Sequence, residues 1–363
     1  MPGGMKEVAA RAGVSVTTVS HVLNKSRHVS PATRQRVLTA VRELSYYKDA
    51  QARHLARGHS DFLGLIVSDI CNPFFPEIVK SFETAALAKG LDLLLCNTNY
   101  DPERTEAAVR KMIENKVRGV AVMTSEWGKD SAENLKANNV PVVFLDLGPV
   151  GNYSSNIRVN YAGGISKAIE HLHGLGHEKY AFIGGPQDLR SAIIRREAFI
   201  DAMKYWGLPF HRVVHGNHQV EGGAQAAQTL LAHSPVPTAI LCSNDLTAIG
   251  AMNALAEAGV RVPEDVSVVG FDDIGSARLA HPPLTTVNLS RERLGELAFE
   301  ALHKMLGSKR RKGAEYIIDT ELVIRQSTAV ARCAGLELPL AMTHSEPSSG
   351  KVEHIVEKRT ELG

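Results

Sequence analysis

Val16, Thr17, Ser20 and His21 have the spacing that a helix gathers on one side. Small hydroxyls, methyl groups and one imidazole make poor core material. They suit hydrogen bonds and methyl contacts to base edges in a DNA major groove. A second set of polar residues falls just past apolar runs that read as strands: Asp69, Asn97, Ser125, Asp146, Asn244, Asp245, Asp272 and Asp273. In parallel α/β sheets, ligands bind beyond the carboxyl ends of the strands. Asp272 and Asp273 are adjacent, so a strand points them to opposite faces and they cannot form a catalytic pair. The sequence offers no phosphate loop, no paired His/Cys metal ligands and no nucleophile–base pair, so neither a catalytic site nor a metal or cofactor is expected.

The elements that must position these residues follow from local pattern. Residues 5–24 read as two short helices around Gly13, with Ser15 capping the second. Val19, Val22 and Leu23 take the inward side of that second helix, which leaves the four polar-face residues outward. An ordinary two-helix corner is the competing reading, and charge weighs against it. Residues 1–60 hold ten Lys and Arg against three acids, a surplus of seven on a chain whose total is +2, so the remainder carries −5. A basic head on an acidic body is the electrostatic footprint of a nucleic-acid module. Ser30 and Pro31 open a third helix, with a stripe of Val37, Val41 and Leu44. Residues 1–47 are therefore expected to form a three-helix head. Residues 48–60 are helix-favouring but short and polar; they form either a plain linker or a hinge that turns helical on DNA, with Leu55 as a minor-groove wedge.

From residue 62 the pattern changes to apolar runs alternating with amphipathic helices, the signature of parallel α/β sheets. Strands are expected at 62–67, 91–96, 119–123, 140–147, 179–185, 238–244 and 266–273. Helices are expected at 74–89, 102–115, 161–175, 195–206 and 246–259. Composition is ordinary for a globular chain, 44% hydrophobic and 22% charged. No run reaches the length of a membrane span. No charged-then-apolar leader opens the sequence, so a cytoplasmic location is expected. The four cysteines are scattered and read as reduced packing residues. Residues 339–363 turn polar and read as a mobile tail.

Seven stretches in order resemble the lactose-repressor/galactose-repressor family of bacterial transcription regulators. They are GVSVTTVSHVLN (13–24), VSPATRQRVLTAVRELSY (29–46), GLIVSDICNPFF (64–75), GHEKYAFIGGP (176–186), PTAILCSNDLTAIGAM (237–252), RVPEDVSVVGFDDI (261–274) and HPPLTTV (281–287). The resemblance covers roughly residues 5–335, and the head is closest to the purine-repressor branch. It implies an α/β protein with a helix-turn-helix head, a hinge and a two-lobed periplasmic-binding-protein-like core at 61–338. The first lobe would take 61–160 and 291–321, and the second 161–290 and 322–338. It implies a repressor that binds a pseudo-palindromic operator as a homodimer, under control of a small-molecule effector in the cleft, with a sugar or sugar derivative expected. The family's base-contacting positions fall on Val16, Thr17 and His21, Arg27 matches a head residue near the DNA backbone and Leu55 the intercalating leucine; Ser20 on the same helix face and Arg57, two residues after Leu55, complete the expected DNA-binding set. The family's effector positions fall on Phe74, Phe75, Asp146, Ser191, Arg195, His218, Asn244 or Asp245, and Asp272. Three departures stand out. Lys48 replaces the proline usual before the hinge. Ala56 follows Leu55 where a basic residue is common. Leu189 occupies the place of the purine branch's ligand arginine. Arg190 and Arg196 flank Arg195 and point to an acidic sugar. A solute-binding protein without a DNA role would fit the core alone, but not the basic head.

Overall fold

The computed structural model describes residues 4–24, 26–46, 60–124, 129–146, 148–208 and 211–332. Two compact units emerge, residues 1–60 and 61–363. The expected hinge, with Leu55 and Arg57, and the expected tail lie outside the described residues, as do Ser125 and Cys333.

The first unit has three helices: α1 Met5–Ala12, α2 Val16–Asn24 and α3 Pro31–Glu43. Gly13 closes α1 at a φ of 64°, a left-handed turn that a side chain would resist. Ser15 Oγ accepts the Thr18 N–H at 3.1 Å and so starts α2. Ser30 Oγ accepts the Thr33 N–H at 3.3 Å, with Pro31 as the first residue of α3. Val8, Ala9, Ala12, Val19, Val22, Val37 and Ala40 form the core; the expected stripe partners Val41 and Leu44 are half-buried against it.

The second unit contains two six-stranded sheets. In chain order its elements are β1 Phe62–Val67, α4 Phe74–Leu87, β2 Asp92–Asn97, α5 Pro102–Glu114, β3 Val120–Met123, α6 Lys129–Ala137, β4 Val142–Leu145 and β5 Ser154–Val159. Then come α7 Tyr161–Gly174, β6 Tyr180–Gly184, α8 Arg190–Tyr205, β7 His211–His215, α9 Val220–Leu231, β8 Ala239–Cys242, α10 Asp245–Glu257 and β9 Ser267–Asp272. The last are β10 Thr285–Asn288, α11 Arg291–Gly307, β11 Glu315–Ile318 and β12 Glu321–Val323. The first sheet runs β11-β5-β4-β3-β1-β2 and the second β12-β10-β9-β8-β6-β7. All pairings are parallel except β12 against β10. The chain passes from the first sheet to the second after Val159, returns after Asn288 and passes again after Ile318.

Every strand and helix expected between 62 and 273 is present, with ends shifted by a few residues; the helix expected from 195 begins at Arg190. Sequence pattern missed α6, β5, β7, α9 and everything after β9. α9 is instructive, because its Gly222–Gly223 pair looks like a turn. The glycines are there for close helix packing: a Cβ at Gly223 would lie 2.1 Å from Thr247 O, and one at Gly250 would lie 1.9 Å from Val220 O. α9 and α10 thus cross backbone to backbone. Of the cysteines, Cys242 is buried, Cys96 is half-buried and Cys71 is exposed, so not all of them are packing residues. Among the described residues, no helix is long and apolar enough to cross a membrane, and no group of His, Cys, Asp and Glu could hold a metal ion.

Candidate functional site

The outward face of α2 carries the predicted base-reading residues. Val16 is 40% exposed; Thr17 is exposed, and Ser20 and His21 are half-buried. Asn24 Nδ2 donates to Ser20 Oγ at 3.1 Å, and His21 Nδ1 pairs with Ser26 Oγ at 2.9 Å. These bonds hold the two side chains in place while leaving Thr17 free for an incoming partner. Arg27 is exposed and lines a shallow hollow together with His21 and Arg36. One helix face of small polar groups rimmed by guanidinium groups is equipped to meet base edges and phosphates together.

The second site lies at the carboxyl ends of both core sheets, in a cleft that encloses about 60 Å³. Its lining contains Phe74, Phe75, Asp146, Ser191, Arg195, His218, Asn244 and Asp272 from the predicted set. Asp245 is not among them. Its side chain is fully buried, accepting from Thr286 Oγ1 at 2.5 Å and from the Ile274 N–H at 2.8 Å. Burial, reinforced by the nearby charge of Asp272, holds the Asp245 carboxyl well above the usual carboxylate range. Of the two residues left open by the sequence, Asn244 lines the cleft and Asp245 does not. Part of Asn244 is already committed: its Oδ1 caps α10 through the Thr247 N–H at 2.9 Å, and its Nδ2 donates to His218 O at 3.0 Å.

Arg195 is the hub of the second wall. Its Nη1 donates to Ser243 O at 2.6 Å and its Nη2 to Asp272 Oδ1 at 3.2 Å. The guanidinium lies 4.4 Å from the Phe271 ring centroid and 5.0 Å from that of Tyr161. Its Nε is buried and finds no partner within the described residues. Asp272 sits at a φ of 104°, a strained backbone for a non-glycine residue. Burial raises its carboxyl to about 6, against the opposing pull of Arg195 and Arg291. Arg291 Nη1 donates to the Asp272 carbonyl, and Arg291 Nε reaches Glu77 Oε2 on α4 at 2.5 Å. Asp272 is therefore tied through its side chain to α8 and through its main chain to the helix that begins with Phe74 and Phe75.

The opposite wall is built around Asp146. Its two oxygens accept from the Val159 N–H at 2.8 Å and from Tyr161 Oη at 2.7 Å, and burial raises its carboxyl despite those bonds. Phe74 and Phe75 meet edge to face, with ring centroids 5.2 Å apart. His218 is buried with its Nε2 unpartnered, and burial lowers its pKa to about 3, so the ring is neutral.

The remaining strand-end candidates do other work. Asp69 and Asn97 accept backbone N–H groups of Cys71 and Ile70 and shape a loop. Asp273, just past the end of β9 at a φ of 54°, pairs with Arg325 at 2.5 Å and Asn288 at 2.8 Å, whereas Asp272 pairs with Arg195; the two part company at a left-handed turn and not by strand alternation. Sequence reasoning missed Ser68, Thr124 and Tyr161, which line the cleft together with Leu189, the residue it had set at a ligand position. Ser68 and Thr124 stand one residue before the Asp69 and Ser125 that the strand-end rule selected, so that rule found the strands but not the side chains. Tyr161 opens α7 and had no local signal.

Comparison with known proteins gives concordant matches in both units. Residues 4–49 match the family described as bacterial regulatory proteins, lacI family, and residues 169–328 match the periplasmic binding protein-like domain. The chain is 38% identical over 326 residues to the HTH-type transcriptional repressor PurR of Mannheimia succiniciproducens, covering 89% of this chain and 98% of the relative. The PurR repressor of Haemophilus influenzae is also 38% identical, with the same coverage. Among solved structures, the lac repressor dimer bound to operator and the anti-inducer ONPF superposes with a TM-score of 0.81 at 30% identity, covering 91% of this chain and all of that one. A LacI family regulator from Enterococcus faecium with bound ribose gives 0.68 at 26% identity, covering 75% of this chain and all of that one.

Proposed function

The chain belongs to the lacI family of bacterial regulatory proteins and is a DNA-binding transcriptional repressor with a ligand-binding core; from that premise we propose that its effector is a sugar or sugar derivative held between Asp146 and Asp272. The observation that carries this reading is the pair of carboxylates on opposite walls, Asp272 buried and Asp146 half-buried, with Arg195 beside the first and the Phe74 ring along the cleft. Carboxylates accept hydroxyl protons, the guanidinium donates, and an aromatic ring covers the apolar face of a pyranose or furanose. Leu189, buried and apolar, faces the same cleft and offers a nucleobase no hydrogen bond. The Enterococcus faecium relative with bound ribose supports a sugar ligand on this fold. Arg190 also lines the cleft, whereas Arg196 does not, so the case for an acidic sugar narrows to one exposed cation.

The cleft leaves about 60 Å³ for water-sized groups, which is small for a sugar, and this supports an effector whose binding is coupled to the angle between the lobes. A homodimer working in the cytoplasm would place two α2 faces on a pseudo-palindromic operator, with Val16, Thr17, Ser20 and His21 on bases and Arg27 on the backbone. Leu55 and Arg57 are proposed for the minor groove on sequence grounds alone. The lac repressor relative, a dimer on its operator, supports this arrangement.

The test is calorimetry of the full chain against pentoses, hexoses, sugar acids, hypoxanthine and guanine, followed by operator binding with whichever compound binds. A bound sugar that changes operator affinity is the expected result. At a hundredfold excess over its Kd it should add about 2.7 kcal/mol of stability. A nucleobase that binds tightly while every sugar fails would overturn the sugar assignment and leave the repressor intact.

A further inference from the structure

The loop between α11 and β11 carries Lys309, Arg310, Arg311 and Lys312 in succession, on a core unit whose acids otherwise outnumber its bases. Lys309, Arg310 and Lys312 are exposed and form no ion pair among the described residues. The loop is held in place. Tyr153 N donates to Arg311 O at 2.8 Å, and Gly313 N donates to Gly151 O at 2.8 Å. Arg311 itself is spent on structure: its Nη1 donates to Asn139 O at 2.6 Å, and its guanidinium lies 5.3 Å from the Tyr153 ring centroid. The neighbouring cations are thus presented from a fixed base, at less entropic cost than a floppy loop would impose.

Sheet topology says which way they face. Every pairing in the first sheet is parallel, so all its strands begin at one edge. The effector cleft is at the other edge, since Ser68 and Thr124 follow the ends of β1 and β3. The basic loop leads into the start of β11, and the chain arrives from the head at Asp61, immediately before β1. β11 and β1 are four strand spacings apart, about 19 Å. Residues 46–61 can span at most about 50 Å. Lys116, Arg118 and Lys136 precede β3 and β4 at this same edge. The acids here are Asp61, Asp92 and Glu114, toward the β1–β2 side; Glu315 is taken up by Arg158 at 3.6 Å.

We infer that this amino-terminal edge of the first core sheet is a second DNA-contacting surface, with Lys309, Arg310 and Lys312 holding phosphates of the duplex that the head engages. The inference rests on the DNA-binding reading of the chain and adds a surface to it. Three exposed cations within four residues can each displace a counterion from a phosphate, which contributes affinity and salt dependence without reading sequence.

The experiment uses the full chain and a 40-bp duplex that the parent protein selects from a random library. Affinity is measured from 50 to 200 mM KCl for the parent, for Lys309→Ala/Arg310→Ala/Lys312→Ala, and for the charge-keeping Lys309→Arg/Lys312→Arg. The triple variant should bind about tenfold more weakly at 100 mM, with a log–log salt slope shallower by about 1–3. The charge-keeping variant should match the parent. Exposed alanines at these sites should leave the melting temperature within about 2 °C, so lost binding cannot be ascribed to unfolding. Unchanged affinity and slope would overturn the inference, as would lost binding to phosphatidylglycerol vesicles with DNA binding intact. A parent that selects no duplex would fail the DNA reading itself, and this inference with it.

Discussion

Asp272, His218 and Thr17 each do something that the residue beside them cannot. Asp272 is buried with a pKa of about 6, raised by burial against Arg195 and Arg291. If its carboxylate accepts effector hydroxyls, effector affinity should fall as pH drops below 6, and Asp272→Asn should flatten that profile as well as weaken binding. Titration calorimetry at pH 5, 6 and 7 reads both; identical profiles in parent and variant would remove Asp272 from the ligand's partners. His218 gives a linkage of definite sign. Its folded pKa, about 3, lies below the ordinary imidazole value, because burial and the nearby Arg195 charge disfavour the imidazolium. The unfolded chain takes up that proton first, so His218 costs stability as pH falls below about 6.5. His218→Gln should therefore gain on the parent by up to about 2 kcal/mol between pH 6.5 and 5, read by urea unfolding. On α2, Thr17→Ala with His21→Ala should relax operator choice, since base contacts contribute about 1–3 kcal/mol each. Non-specific affinity should stay nearly constant, because the basic residues of the head remain. Equal loss of both kinds of binding would exclude this face as the reader.

Among the elements, the α9–α10 crossing is the least forgiving. Gly223 and Gly250 let the two backbones touch, and any Cβ must push carbonyl groups apart. Gly250→Ala should lower stability by about 1–3 kcal/mol or more, measurable by chemical denaturation. Full parental stability would mean that the helices can slide apart freely. α11 is pinned differently. Arg291, with its side chain 8% exposed, links the Asp272 carbonyl to Glu77 on α4, whose side chain is 53% exposed. Arg291→Met would return Glu77 to water but leave the carbonyl unpaired, at a cost of about 1–3 kcal/mol. It should also alter effector affinity, because the peptide that carries Asp272 loses its tie to the helix bearing Phe74 and Phe75. A variant with lower stability and parental effector affinity would show the tie to be structural only.

Across the whole molecule, the head and core separate as compact units with their own apolar clusters. Residues 61–363 expressed alone should fold and bind effector within about twofold of the full chain, since distant independent sites affect one another little, while losing sequence-specific DNA binding. Circular dichroism and calorimetry on the fragment check this; a fragment that cannot fold would make the head part of the core's stability.

Much of this was legible from the chain alone. Helical periodicity separates Val19 and Val22, which are buried, from Val16 and Thr17, which are not, because packing of a short helix depends on which side chains share a face. Apolar runs located every strand they named from 62 to 273, because the inner strands are covered on both faces and must be apolar throughout; β2, at the sheet edge, is only partly covered and still carries an apolar run. Ion-pair partners and long-range pairings were not legible, for a physical reason: each depends on elements far apart in sequence. Asn244, Asp245, Asp272 and Asp273 are four polar strand-end residues of similar appearance. Only the tertiary structure turned Asp245 into a buried acceptor for Thr286, Asp273 into a partner of Arg325, and Asp272 into the carboxylate that pairs with Arg195 on one wall of the cleft. Tyr161 reaches Asp146 for the same reason. β11 and β12 are too short to carry their own pattern; each exists because an edge of an already formed sheet offers it hydrogen bonds. Local sequence thus decided which segments become helix or strand and which face turns inward, whereas the meeting of distant segments decided which charges are paired, which are buried and which remain free to bind.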